Sequence, residues 1–442
     1  MVNTNFPVPN TIPGRLITDR DHLRALKQHL GQLCSLNGAQ RFPGSQPVSF
    51  TYHSLDLLES EDFWVCEKSD GVRVMALVVI ADRKSFYYGP TENGKQEVYF
   101  INRRDEFFLV DHIAFPHYEH QNRYLKDTII DGELVIDVEP KIGQVLRFLV
   151  FDCIALEGQN LMHKPLNNRY GRLKDWVIAP LKKMLAAQPH LRNTMPFDVK
   201  LKSMELAYGI EKVLLHDLPK LTHGNDGLIF TSACSPYRIG TDPKILKWKP
   251  PSENSIDFRL ELRFPPRADD PTEADFFGKP IFVLMMNCGN DGETFFDTLE
   301  MSDQEWHERK LRREQLDNRV VEVVWNSKLQ TWKILRFRDD KKDGNYRSVV
   351  YSIIQSIQDG VEADELSKRA IRIKQAWKAR AEGKPNPNAP IASAQRKNAS
   401  GNQQKPKHSG GIQGGDPSTR GKFVALPSMP VPGTMACRLK RV

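Results

Sequence analysis

From Val48 to Arg338 the apolar residues fall into short runs separated by Gly, Pro, Asn and Asp, a pattern that restricts most of the chain to β-strands. The runs are Phe63–Cys66, Val72–Ile80, Thr128–Val138, Leu146–Ile154, Gly227–Thr231 and Lys244–Trp248. Beyond Pro250-Pro251 come Ser255–Phe264, Pro280–Asn287, Val320–Trp325 and Thr331–Arg338, the last two flanking a predicted hairpin turn at Asn326-Ser327-Lys328. Helical spacing is rarer. Leu23, Leu26, Leu30 and Leu33 share one face of a stretch beginning at Asp19, and Arg169–Ala187 and Asp303–Leu316 also read as helices. Strands mixed with unevenly placed helices predict an α+β fold rather than regular βαβ winding. The group after Pro251 suits a small barrel of about five strands. Two further helical faces follow, one bearing Val350, Ile354 and Ile357, the other Leu366, Ala370, Ile373 and Trp377.

The 442 residues suffice for two domains at roughly 100–200 residues each. The net charge of +8 is confined to the end of the chain: Ala376–Val442 carries a surplus of +10, leaving the preceding part at −2. That basic, Pro-, Gly-, Gln- and Asn-rich tail is expected to be disordered, serving as a loose polyanion holder or merely as a solvating extension. No membrane-spanning run and no secretory leader are visible. The cysteines, Cys34, Cys66, Cys153, Cys234, Cys288 and Cys437, lack zinc-ligand spacing, and reduced thiols in a cytosolic or nuclear protein fit them. Cys66 is expected to pack as a small hydrophobe. His53, His112, His117 and His120 form no convincing metal-site grouping.

Six fragments hold the residues suited to chemistry. They are Glu67-Lys68-Ser69-Asp70-Gly71-Val72-Arg73, Asp131-Gly132-Glu133, Phe148–Asp152, Asp226–Phe230, Lys247-Trp248-Lys249 and Arg336-Phe337-Arg338-Asp339-Asp340-Lys341. Alternation puts Lys247 and Lys249 on one strand face, Leu246 and Trp248 on the other, and would align Arg336, Arg338 and Asp340 if extended. Singly, each fragment has a plainer explanation. Asp-Gly pairs make turns, paired lysines solvate a strand face, and Phe151 suits a core. Those explanations do not account for all six, in this order, in one chain.

In this order the fragments resemble the lysine-dependent nucleotidyltransferases, which comprise mRNA capping guanylyltransferases and ATP-dependent DNA and RNA ligases. The likeness runs from about Val48 to Asn345. The wording Cys66–Arg73 and the closing Arg338-x-Asp340-Lys341 are similar to the fungal capping branch; ligases typically lack that ending. The resemblance implies a nucleotidyltransferase domain of mixed, mostly antiparallel sheets at 1–250, with a helical extension at its start. An OB-fold β-barrel with a helical insertion is expected at 251–348, helices packing on the globular body at 349–382, and the basic tail at 383–442.

The same resemblance implies that Lys68 attacks the α-phosphate of GTP and passes GMP to the 5′-diphosphate end of nascent RNA. Such an amine must be neutral, and neighbouring positive charge lowers its pKa. By likeness, Arg73 and Glu133 hold ribose hydroxyls and Phe151 stacks on the purine. Arg103 contacts phosphate, although Asn102 stands where the family often has Asp. Lys247 and Lys249 grip the α-phosphate, Asp226 binds magnesium or manganese, and Arg338, Asp340 and Lys341 orient the leaving pyrophosphate after domain closure. Fewer than about fifty residues precede the first expected strand, and no His-Cys phosphatase pair occurs. The implied partners are therefore a separate RNA 5′-triphosphatase subunit and the phosphorylated tail of RNA polymerase II, in the nucleus. Two rivals remain: an ATP-dependent polynucleotide ligase using lysyl-AMP, and a catalytically inactive RNA-binding scaffold.

Overall fold

The computed structural model describes residues 6–36, 42–81, 95–120, 122–326 and 329–388. Ser327, Lys328, Cys437 and the basic tail beyond residue 388 lie outside the described residues. The chain divides into two compact units: Met1–Ile256 with Ser348–Pro387, and a second unit containing Asp257–Arg347.

In the first unit two sheets pack with helices. One sheet runs in the order Arg15–Leu16, Phe107–Val110, Lys95–Asn102, Val72–Ala81, Thr128–Glu139, Gly143–Leu156, Asp198–Leu201, with Gln159–Asn160 paired to Gly143–Leu156. The other runs Glu205–Leu206, Phe63–Ser69, Asn225–Ser232, Gly240–Trp248, Ser45–Ser49. Neighbours are antiparallel except Asp198–Leu201 and Ser45–Ser49, each of which pairs in parallel. Phe63–Ser69 and Val72–Ala81 are consecutive, yet they belong to different sheets and are joined only by Asp70-Gly71. The Lys68 fragment is thus the crossing between sheets. A lysine at the end of one strand faces residues of both layers.

Period-two alternation makes the larger sheet apolar on both sides. Val74, Ala76, Val78 and Phe100 pack toward Leu173, Val177 and Leu181, while Met75, Leu77, Tyr99 and Ile101 pack with Leu26, Leu30 and Leu33 of the helix Arg20–Leu33. Asp19 caps that helix by accepting from the His22 amide at 2.7 Å, satisfying one free N–H of its first turn. The smaller sheet buries Leu246 and Trp248 with Leu366 and Ile373 of the helix Ala363–Ala381. The Trp248 indole donates to the Val361 carbonyl at 2.8 Å, and the Trp377 and Tyr208 rings lie 5.1 Å apart. The strands Lys95–Asn102, Phe107–Val110 and Glu293–Leu299 are absent from the sequence reading. Lys95-Gln96-Glu97 and Glu293-Thr294 open two of them with polar residues and hide the alternation. The third is too short to show a period.

The second unit is a closed barrel in the order Ser255–Arg263, Ile281–Asn287, Glu293–Leu299, Thr331–Phe337, Val320–Asn326. This first-second-third-fifth-fourth order is that of an OB-fold. The helix Asp303–Leu311 lies between the third and fourth strands in sequence. It ends five residues before the expected Leu316, and Arg313 soon follows in a left-handed turn at φ 53°. Phe258, Phe296, Trp325 and Trp332 fill the interior, with the Phe258 and Phe296 rings stacked at 4.6 Å.

Candidate active site

Lys68, one residue from the end of its strand, donates from Nζ to Asp226 Oδ1 at 2.6 Å; their side chains are 30% and 23% exposed. Asp226 reaches it because the ladder slips between Asn225 and Leu228, a bulge that re-aims the acid. Gly227 permits this. Its φ is +144°, and a Cβ there would meet the Trp248 carbonyl oxygen at 2.0 Å. Asp131-Gly132 is likewise no turn: it sits inside Thr128–Glu139 at another register shift, where a Gly132 Cβ would strike the Phe148 ring at 2.4 Å.

Beside Lys68 lies a cavity of about 140 Å³ lined by Arg73, Arg103, Glu133 and Phe151, with Cys66 and Ile229 on its smaller-sheet wall. Arg73 pairs directly with Glu133 in register. Its guanidinium grips fully buried Asp131 through Nε at 3.0 Å and Nη2 at 2.6 Å, while the Tyr237 hydroxyl donates to the same carboxylate at 2.7 Å. The Arg73 guanidinium carbon stands 5.4 Å from the centre of the Phe151 ring. Asp152, next along the strand, is clamped by Arg169 through two bonds of 2.8 Å. That strand runs Gly143–Leu156, extending the expected Leu146–Ile154 at both ends.

Lys202 is the main feature missed in the sequence. It is 4% exposed, donates to Ser69 Oγ at 2.7 Å, faces Glu67 at 3.6 Å and Glu133 at 3.8 Å, and lies 6.0 Å from the Phe151 ring centre. Behind Glu67 is buried His223, 3.8 Å from that carboxylate and 2.7 Å from Asp137. Burial drives the Lys202 and His223 pKa values down, but the facing acids outweigh it and hold both above their ordinary values. For Glu67 burial acts upward, and Lys202 and His223 reverse it. Glu133 stays raised by burial despite Lys202, Lys68 and Arg73. Arg103 is lowered by burial and then by Arg73. Cys66, pushed up to about 12 by burial, is a packed thiol rather than a nucleophile. Only the alternation Lys200-Leu201-Lys202 marks Lys202 in the sequence, and lysines spaced that way ordinarily solvate a strand face.

The other expected residues lie apart from this cavity's lining. Lys247 is opposite Ile229, itself opposite Cys66, so register puts it on the Cys66 and Lys68 face. Lys249 is half-buried and makes no ion pair among the described residues. Arg338, Asp340 and Lys341 belong to the barrel unit. There the strand stops at Phe337, so the expected extended alignment of Arg336, Arg338 and Asp340 gives way to a turn closed by the Lys341 amide on the Arg338 carbonyl at 3.0 Å. Arg338 bonds Asp340 at 2.7 and 2.8 Å and buried Asp257 at 3.2 Å, and Lys341 also bonds Asp257. Among the described residues no three His, Cys, Asp or Glu cluster to hold a metal, and no helix is long and apolar enough to cross a membrane.

The family model of the mRNA capping enzyme catalytic domain matches residues 9–251, and that of the mRNA capping enzyme C-terminal domain matches 253–367. The chain belongs to the mRNA capping enzyme family. Relatives named mRNA-capping enzyme subunit alpha include one from Neurospora crassa, 37% identical over 85% of this chain and 96% of that protein. Another, from Schizosaccharomyces pombe, is 38% identical over 83% and 89%. A solved structure of the bacteriophage T7 ATP-dependent DNA ligase complex with ATP matches at 14% identity and a TM-score of 0.33, over 67% of this chain and 98% of that one. Within this capping-family chain the catalytic-domain match ends at Pro251, where the sequence places Pro250-Pro251 between its two groups of strands.

Proposed function

We propose that the chain is an mRNA guanylyltransferase, taking GMP from GTP onto Lys68 and passing it to the 5′-diphosphate end of nascent RNA. One observation carries this reading: a half-buried lysine, hydrogen-bonded to Asp226, opens onto a base-sized cavity lined by Phe151, Arg73 and Glu133. Phe151 would stack on the purine, and Arg73 and Glu133 would hold the ribose. Lys202 supports guanine over adenine: a buried ammonium near the Phe151 ring can donate to the guanine carbonyl but not to the adenine amino group.

In the first step the Lys68 nitrogen bonds to the α-phosphorus as the bond to the β-phosphate oxygen breaks. Pyrophosphate departs, and Lys68 gives up its proton. Asp226 is within reach of that proton, and because the resting pair holds Nζ at 2.6 Å, it must loosen before attack. Lys247, Lys249 and Arg103 would offset charge on the phosphates, and Arg338, Asp340 and Lys341 would act on the leaving group after the units close. Magnesium or manganese fits Asp226 only with phosphate oxygens completing its shell, the usual mode for one carboxylate. Such an ion supplies positive charge at the reacting phosphate. A partner subunit accords with relatives named as alpha subunits, and on this reading that partner is a separate RNA triphosphatase, with the phosphorylated polymerase tail as a second partner and the nucleus as the site of action.

The test is incubation with α-labelled GTP and, in parallel, ATP. Label from GTP should become covalently attached, and Lys68→Ala should remove it by at least about a thousandfold. Preferential labelling by ATP would instead identify a ligase.

A further inference from the structure

A second cavity, about 730 Å³, adjoins the base cavity and shares Lys68, Arg73, Arg103 and Glu133 with it. It is about five times larger, within the range of roughly 300–1,000 Å³ that encloses a whole ligand rather than one base. One wall is the segment Pro9–Ile12; another is the turn that carries Arg103 and Arg104. That turn is braced. Asn102 Oδ1 accepts from the amides of Arg104 at 2.9 Å and Glu106 at 3.0 Å, and its Nδ2 donates to Glu106 Oε2 at 2.6 Å. Asp105 closes the turn at φ 59°.

Arg104 differs from the other cations around Lys68. Arg73 is committed to Asp131, and Arg103 faces both cavities. Arg104 lines only the larger one, is exposed, and has no ion pair among the described residues. An arginine with a fixed backbone and an uncommitted guanidinium suits a phosphate, which it can grip with two parallel N–H bonds. The acids on these walls are Asp70, Glu106 and Glu133. Glu106 already accepts from Asn102, and Glu133 faces Lys202.

We propose that this second cavity is the acceptor site, receiving the 5′-diphosphate end of the RNA, with Arg104 binding its phosphates in the transfer step and not in GTP attack. The inference rests on the guanylyltransferase reading. In that step a β-phosphate oxygen of the RNA forms a new P–O bond to the phosphorus carried on Lys68. The P–N bond breaks, its electron pair stays on nitrogen, and the amine takes up one proton from water. The acceptor must therefore lie against the Lys68-borne phosphate, as occupancy of this cavity would place it.

The experiment separates the two steps in the full chain. Wild type, Arg104→Ala, Arg104→Glu and Arg104→Lys are loaded with α-labelled GTP, freed of nucleotide, and mixed with a short RNA bearing a 5′-diphosphate. Loading should stay within about twofold of wild type. The RNA concentration that half-saturates transfer should rise about tenfold for Arg104→Ala and further for Arg104→Glu, with partial recovery in Arg104→Lys. Loading slowed as much as transfer would assign the cavity to the phosphates of GTP and overturn the proposal, as would both steps remaining unchanged. A wild-type chain taking no label from GTP would instead sink the guanylyltransferase reading.

Discussion

Two basic clusters in this molecule are built in opposite ways. Around Lys68 the charges sit on strands or just beyond their ends, and their partners are inward carboxylates: Arg73 on Asp131, Lys202 between Glu67 and Glu133, His223 on Asp137. In the barrel unit Arg338 and Lys341 sit on a turn after a strand has ended and share one buried carboxylate, Asp257, while the further partner of Arg338, Asp340, is 64% exposed. A buried ion must keep its partner, whereas an exposed pair contributes little to stability. The first cluster should therefore join folding to chemistry, whereas in the second the loss of Arg338 alone, which leaves Asp257 paired with Lys341, should fall mainly on chemistry.

Arg73→Ala is the strongest challenge to that contrast. It strands fully buried Asp131 with only the Tyr237 hydroxyl, and should cost about 3–5 kcal/mol in denaturant unfolding as well as abolishing GMP transfer. A variant that unfolds at the wild-type denaturant concentration would remove the distinction. Arg338→Ala should slow enzyme–GMP formation by about 10²-fold yet shift the melting temperature by less than about 2 °C, because Lys341 still pairs with Asp257. Calorimetry beside single-turnover labelling checks both halves. The smallest effect concerns pH. His223 titrates higher in the folded protein than in the unfolded chain, so the stability it lends is complete below about pH 6.5 and is lost as pH rises through the folded value. The melting-temperature gap between wild type and His223→Gln should thus narrow between about pH 6 and pH 9. A constant gap would show that the imidazole acts by packing alone.

Most strands were legible because they follow local rules, and of the expected site residues Lys68, Arg73, Arg103, Glu133 and Phe151 meet around one cavity. Continuous apolar runs marked the strands on either side of Lys68, alternation marked the Trp248 strand, and the order of fragments carried the family likeness. Asp131-Gly132 and Asp226-Gly227 were harder. Turn chemistry is the ordinary meaning of Asp-Gly, and only the bulges reveal glycines chosen for close backbone approach. Lys202 carried only an alternation that ordinarily means a solvated face, Tyr237 had no motif of its own, and the turn after Phe337 broke an alignment that held only for extended chain.

The amino-acid order alone determined which side chains are available for phosphoryl chemistry and which runs become strands, since period and turn preference act over a few residues. Tertiary structure alone decided who meets whom: Lys68 finds Asp226 from 158 positions away, and Lys202 finds Ser69 from 133. Ion pairs depend on distance in space, and strand order with register sets that distance, not spacing along the chain.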